Sequence, residues 1–290
     1  MAADEIWTIG KLLKWTEQYF TSKGVDSPRL DAEVLLSHVL DKPRIYLYVH
    51  FDEPLEKPEL AAYREMVKKR VQRMPVAYII GAREFMGLRF KVTEAVLVPR
   101  PDTEILVQAA LDRLKGRENP TLADIGTGSG AICLSLLHYM PELRAVTVDI
   151  SPEALAVAEE NAASLEVTER IQFLQGDLLT PLAGQCFQAI VSNPPYIPEA
   201  DLAGLEPEVR EYEPRSALAG GVDGLDFYRR LLAGSSALLK EDGFLALEAG
   251  IHEAEPIAAL AAANPAWGRT EIIRDYAGID RVVVIWKKSG

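Results

Sequence analysis

The strongest chemical signal in the 290-residue chain is one short run, Ser192-Asn193-Pro194-Pro195-Tyr196. Each proline holds φ at about −65° and keeps its predecessor out of the helical region, so the run is a stiff, extended loop. Along it the Asn193 amide oxygen and the Pro194 carbonyl are two acceptors of preset geometry, with Pro195 stiffening the pair. Tyr196 adds a flat ring that can stack on a planar group. The motif contains no acid or base that works near neutral pH. Two acceptors suit an NH₂ group: they take its two hydrogens, fix its plane and favour positive charge on its nitrogen.

A second signal is Asp124-Ile-Gly126-Thr127-Gly128-Ser129-Gly130, directly after an apolar strand pattern and directly before a helical one. Glycines let the backbone approach a ligand, and the helix start presents unpaired N–H groups. Asp149 follows at the end of the next strand, where a carboxylate can accept both ribose hydroxyls of an adenosine cofactor. Asp177-Leu178 follows the third strand, where the Asp can accept from an adenine amino group and the Leu can pack on the base. Spacing alone leaves NAD open, because Gly126-x-Gly128-x-x-Ala131 also satisfies the looser dinucleotide pattern. Asp124 puts a carboxylate at the start of the loop, which suits a cationic, amine-bearing ligand better than a diphosphate. The amino-acid moiety and sulfonium of S-adenosyl-L-methionine fit that description. Methyl transfer from a sulfonium needs a lone pair about 3 Å from the methyl carbon, and an amide or aromatic amine held by Asn193 and Pro194 supplies one.

These residues need a scaffold, and the pattern around them provides it. Strand patterns at 121–125, 143–150, 171–174, 187–191, 243–248 and 281–286 alternate with helical patterns at 102–115, 129–139, 151–163, 225–240 and 253–263. Such alternation predicts βαβ units, a mainly parallel sheet covered on both faces, and a crevice at the strand carboxyl ends. Ahead of it, residues 1–75 read as four or five short helices, with Ser27-Pro28 as a helix start and a basic run, Lys68-Lys69-Arg70 with Arg73, on a solvated face. Residues 76–100 read as a β-hairpin linker with Gly81 and Gly87 as turn residues, and residues 101–290 as the catalytic domain.

Charge agrees with that division. The net charge is −12, but residues 1–100 hold 16 basic and 14 acidic side chains while the remainder holds 15 and 29. An acidic catalytic half speaks against gripping nucleic acid through its phosphates. Cys133 and Cys186 have no metal-ligand spacing and read as buried small hydrophobes; no metal site is expected. His38, His50, His138 and His252 lie near no motif. The amino-terminal residues lack the marks of a signal peptide, and no apolar run approaches the roughly 18 residues of a membrane span, so the expectation is a cytoplasmic protein without a membrane partner.

Asp124 through Gly130, Asp149 and Asn193-Pro194-Pro195-Tyr196 resemble class I S-adenosylmethionine-dependent methyltransferases that act on planar sp² nitrogens, a group that includes DNA adenine-N6 and cytosine-N4 enzymes. More specific are Arg83-Glu84-Phe85-x-Gly87-Leu88-x-Phe90, Val98-Pro99-Arg100-Pro101-Asp102-Thr103-Glu104 and Arg274-Asp275-Tyr276-Ala277-Gly278-x-Asp280-Arg281-Val282. With the helical module, these resemble the protein-(glutamine-N5) methyltransferases of peptide chain release factors along essentially the whole chain. The resemblance implies a Rossmann-like α/β domain with a seven-stranded, mainly parallel sheet, and an N-terminal helical domain that docks the factor. It implies methylation of the Gln in the Gly-Gly-Gln loop of class 1 release factors, S-adenosyl-L-homocysteine as product, and a monomer. By motif match, Asn193 and Pro194 hold the Gln amide, Tyr196 packs against it, and residues 126–130, Asp149 and Leu178 line the cofactor. Some members carry an aromatic residue where this chain has Leu178, so packing on the base is expected to be aliphatic.

Two other readings are distinguishable. A DNA or RNA amino-methyltransferase would need a target-recognition segment and a means of base extrusion, and neither is visible. A non-catalytic binding module with a vestigial pocket would not need intact Asn193 and Asp149.

Overall fold

The computed structural model describes residues 6–289; Met1–Glu5 of the amino-terminal segment read above, and Gly290, lie outside them. The chain forms two units, one containing the residues through Gly81 together with Pro207–Tyr212, the other Ala82–Glu206 with Glu213–Gly290.

The first unit is helical. Helices α1 (Ile9–Ser22), α2 (Pro28–Leu40), α3 (Arg44–Val49), α4 (Lys57–Val71) and α5 (Val76–Ile80) are its consecutive elements. Thr8 caps α1 by accepting from Lys11 N–H at 3.3 Å. A Glu56–Glu59 capping box opens α4, and Pro28 occupies the first turn of α2, although the Ser27 hydroxyl makes no cap bond. Helical spacing places Ile9, Leu12, Leu13 and Phe20 on one face of α1, buried with Leu35, Leu36, Leu47 and Tyr63. The basic run differs from the expected solvated face. Lys68 is exposed and pairs with Glu65, but Arg70 is buried and donates to Asp31 at 2.7 Å and Glu208 at 2.8 Å. Arg73 pairs with the same Glu208 at 2.7 Å. Glu208 comes from the returning segment Pro207–Tyr212, a short helix.

The second unit opens with a hairpin, β1 (Ala82–Phe85) paired antiparallel with β2 (Leu88–Lys91). Met86 and Gly87 both have positive φ, as a two-residue type I′ turn requires. The expected 76–100 linker is therefore divided: its first residues are α5 of the helical unit, and the hairpin belongs to the second unit. Then follow α6 (Glu104–Leu114), β3 (Thr121–Ile125), α7 (Ala131–Tyr139), β4 (Arg144–Asp149), α8 (Pro152–Ser164), β5 (Ile171–Gln175), β6 (Phe187–Ser192), α9 (Pro207–Tyr212, lent to the helical unit), α10 (Asp226–Gly234), β7 (Leu239–Glu248), α11 (Ala254–Ala262), β8 (Trp267–Arg274) and β9 (Asp280–Lys287).

The seven-stranded sheet has the order β5-β4-β3-β6-β7-β9-β8. Strands β5, β4, β3, β6 and β7 pair in parallel, while β9 runs antiparallel to both β7 and β8. Two apolar clusters cover its two faces, which explains the apolar runs Ala189–Val191 in β6 and Phe244–Leu247 in β7. The order reverses between β3 and β6, so the loops after those two strands flank the switch point where ligands bind in open α/β sheets. Helix α7 starts at Ala131, after the whole glycine loop and not at Ser129 as its sequence pattern predicts. Cys186 is exposed in the turn before β6, against the expected burial, whereas Cys133 is buried.

Candidate active site

The ends of β3 and β6 are tied side by side. Ser192 Oγ donates to Ile125 O at 2.7 Å, and a Cβ added to Gly126 would come within 3.9 Å of the Asn193 carbonyl oxygen. The glycine loop is pinned to β4 as well: Gly126 N–H donates to Val148 O at 2.8 Å, and the Thr127 and Thr147 hydroxyls share a 2.6 Å hydrogen bond. Gly128 N–H donates to Asp149 Oδ2 at 2.8 Å, and Ser151 N–H to Asp149 Oδ1 at 2.9 Å. Each carboxylate oxygen of Asp149 keeps a further lone pair for a ligand. Gly128 has φ +52° and nothing within 4 Å of where a Cβ would stand, so a side chain there would enter the space before the loop.

That space is a cleft of about 540 Å³ inside the second unit, within the ~300–1,000 Å³ typical of ligand pockets. Its wall brings together the loop residues Gly126, Thr127, Gly128 and Ser129 with Asp149. Asp177, Leu178, Asn193 and Pro195 complete the expected set that faces it. The glycine loop, a ribose-spacing carboxylate and an apolar Leu178 fit a nucleoside joined to an amino acid. Leu178 holds φ +50°, a left-handed conformation that costs a branched residue about 1–2 kcal/mol and that clusters at ligand sites. Asp177 is partly engaged already, because its Oδ2 accepts from Arg230 at 2.5 Å.

Four expected residues lie elsewhere. Asp124 is fully buried beneath the loop and absent from the wall. Burial, with the nearby Asp149 charge, raises its pKa well above the usual carboxylate range. Buried beneath the loop, Asp124 presents no carboxylate to a ligand in the cleft; Asp149 and Asp177 are the acidic side chains on the wall. Gly130 is the residue before α7 and not part of the wall. Pro194 and Tyr196 are outside it too. Tyr196 packs on the apolar cluster beneath β7, and a Cβ on Gly250 would stand 2.9 Å from its ring. Burial pushes its hydroxyl pKa up to about 12. Its ring packs into the protein and does not face the cleft.

Sequence reasoning missed the support behind Asn193. Asn193 Nδ2 donates to Thr103 Oγ1 at 3.2 Å. Glu248, 1% exposed at the end of β7, stands behind both. Its pKa is raised to about 7 by burial, against the pull of Thr103, Arg281 and Asn193. Arg281 is buried as well, pairing with Asp275 at 3.1 Å and Asp102 at 3.2 Å. The closing motif around Arg281 therefore holds the Asp102-Thr103 corner in place. A lone acid ending an apolar strand was the one available signal for Glu248. On the other wall Arg100 pairs with the buried Glu213 at 2.5 Å.

Comparison with known proteins adds a separate finding. Residues 11–81 match the family model of the PrmC N-terminal domain, and residues 101–204 that of the methyltransferase small domain. The release factor glutamine methyltransferase of Moorella thermoacetica is 48% identical over 266 residues, covering 92% of this chain and 94% of that protein. Its counterpart from Geobacter sulfurreducens is 47% identical over 284 residues, covering 96% of each. A methyltransferase crystal structure from Pyrococcus furiosus superposes with a TM-score of 0.53 at 19% identity, over 71% of this chain and 91% of that one, and so shares the fold.

Proposed function

Since the chain belongs to the release factor glutamine methyltransferase family, we propose that it methylates the side-chain amide nitrogen (N5) of the Gln in the Gly-Gly-Gln motif of class 1 peptide chain release factors. The observation that carries this reading is the placement of Asn193: one strand from the glycine loop, at the cleft wall, with its NH₂ already engaged by Thr103, a neighbouring wall residue. Its amide oxygen is then the end left for a substrate.

S-adenosyl-L-methionine, when bound, supplies a methyl group on a positively charged sulfur. Asp149 accepts the ribose hydroxyls with its spare lone pairs, residues 126–129 line the amino-acid portion, and Leu178 packs on the base. Asn193 Oδ1 takes one N–H proton of the Gln amide and, by the motif match, the carbonyl of Pro194, which is not itself on the cleft wall, takes the other; this raises electron density on nitrogen and orients it for attack. An N–C bond forms as the S–C bond breaks, and one amide proton leaves to water. No strong base is needed, because the methylated nitrogen is acidic until that proton is lost. Tyr196 holds the loop still from behind. The helical unit is the docking part for the factor in this reading, and the substrate places the reaction in the cytoplasm. Among the described residues no helix is long and apolar enough to cross a membrane.

Incubation with methyl-labelled S-adenosyl-L-methionine and, separately, purified release factor, duplex DNA and ribosomal RNA tests the proposal. Label in the factor at its Gly-Gly-Gln glutamine is the expected result. Label in DNA or RNA and none in the factor overturns it.

A further inference from the structure

Four segments distant in sequence meet behind the Asn193 amide: Asp102-Thr103 ahead of α6, Asn193 after β6, Glu248 at the end of β7 and Arg281 on β9. The two ends of an amide are nearly the same size, so its hydrogen-bond partners decide which end faces the cleft. Asn193 Nδ2 gives one hydrogen to Thr103 Oγ1. The parallel register sets Ser192 beside Leu247, so Asn193 and Glu248 leave neighbouring strand ends side by side, and the Asn193 amide and the Thr103 hydroxyl are the donors that reach the Glu248 carboxyl. Thr103 has a single proton to give; spent on Glu248, it leaves only lone pairs toward Asn193. A Thr103 that instead donated to Asn193 would take the amide oxygen and turn the NH₂ to the cleft, where it repels a substrate N–H. The acceptor-only carboxylate removes that alternative.

We propose that Glu248, directly and through Thr103, is the positioning residue that holds the Asn193 amide oxygen toward the cleft. When ionised it also adds a negative charge on the Asn193 side of the nitrogen that turns positive as the methyl group arrives. Glu248 Oε2 has no hydrogen-bond partner among the described residues, so one of the two carboxyl oxygens is left without a donor. The charged and titratable groups around it are Arg281 from β9, Asp102 ahead of α6, Tyr196 after β6 and Tyr228 on α10. Tyr228 gives its hydroxyl proton to the Glu248 main-chain carbonyl at 2.8 Å. When protonated, Glu248 becomes a donor and no longer enforces the orientation. Its pKa of about 7 puts that change inside the working range, with the competent form above it.

The inference rests on the Asn193 role proposed above, and the test separates the two. Turnover with purified release factor is followed from pH 5.5 to 9 for the wild-type chain, Glu248→Gln, Thr103→Val and Thr103→Ser. The expected wild-type kcat rises through about pH 7 and then levels. Glu248→Gln loses that rise and about tenfold in plateau kcat; Thr103→Val loses about a hundredfold, the scale of a misoriented group, and Thr103→Ser recovers most of it. Affinity for S-adenosyl-L-methionine by calorimetry stays within about threefold throughout. In the protein alone, the ¹⁵N side-chain NH₂ signal of Asn193 shifts with a midpoint near 7 and stops shifting in Glu248→Gln. A wild-type chain that leaves the factor unlabelled defeats the parent reading whatever the variants do. A wild-type chain that labels it, with Glu248→Gln keeping both the pH rise and the Asn193 titration, defeats the positioning role alone.

Discussion

The backbone N–H of Gly128 donates to Asp149 Oδ2 at 2.8 Å, so the carboxylate that ends β4 also sets the height of the glycine loop. The same side chain receives Ser151 N–H, and thereby links the first two strand ends of the crevice. Asp149→Ala removes the ribose acceptor and the loop tether together. Hydrogen bonds to a charged group are worth about 1.5–3 kcal/mol each, so cofactor affinity should fall by roughly ten- to several-hundred-fold. Calorimetric titration with S-adenosyl-L-methionine measures this directly. An unchanged dissociation constant takes Asp149 out of the site.

Asn193→Ala should behave in the opposite way. Its main-chain carbonyl is the group beside Gly126, and its side chain is held by Thr103, so cofactor affinity should stay within several-fold. Losing one preorganised acceptor for the developing charge should lower kcat by at least about a hundredfold. Single-turnover methylation of the release factor at saturating cofactor isolates that step. Turnover close to wild type rules out the two-acceptor mechanism.

What could be read from the chain followed from local periodicity and from rigid motifs. The strand–loop–helix around Gly126 and the double proline after β6 are set by φ restrictions and apolar runs that need no distant partner. Strand β8 was missed because it is an edge strand: Trp267-Gly268-Arg269-Thr270-Glu271 is largely polar, and only β9 pairs with it. The burial of Arg70 was invisible for another reason, since its partner Glu208 lies 138 residues away. Asp124 differs from its expected place at the ligand because a sequence shows the carboxyl and not its burial beneath the loop, which also raises its pKa. Thr103 lies in the Val98–Glu104 motif and Glu248 ends an apolar strand, but nothing local ties either to Asn193; three-dimensional convergence alone joins them.

Arg70 predicts a stability effect confined to the helical unit. Its guanidinium is buried between Asp31 and Glu208. Burial raises the Asp31 pKa even against the Arg70 bond, whereas at Glu208 burial is outweighed by the Arg70 bond together with a main-chain bond and the Arg70 and Arg73 charges, and the pKa falls. Arg70→Ala leaves two acidic groups facing each other in a poorly hydrated place, which should cost about 3–5 kcal/mol. Urea unfolding followed by the fluorescence of Trp7 and Trp15, both on this unit, reads the loss. A shift below about 1 kcal/mol would show that water reaches the pair and replaces the guanidinium.

Glu248 gives a pH dependence of stability whose direction differs from that of ordinary paired acids. Its folded pKa of about 7 lies above the usual 4.5, chiefly through burial. Between those values the folded chain holds a proton that the unfolded chain has released, so stability from this group is present at low pH and is lost as pH rises through 7. The full excursion is on the order of 3 kcal/mol. Glu253, also raised to about 7 mainly by burial, works in the same direction. Glu248→Gln, which cannot ionise, removes the first contribution and should therefore gain stability over wild type at pH 8.5 while gaining little or losing some at pH 5.5. Denaturant midpoints for both chains across that interval measure the difference. Curves that run parallel would mean that Glu248 is already charged in the folded chain at pH 5.5, with Arg281 as its effective counter-ion.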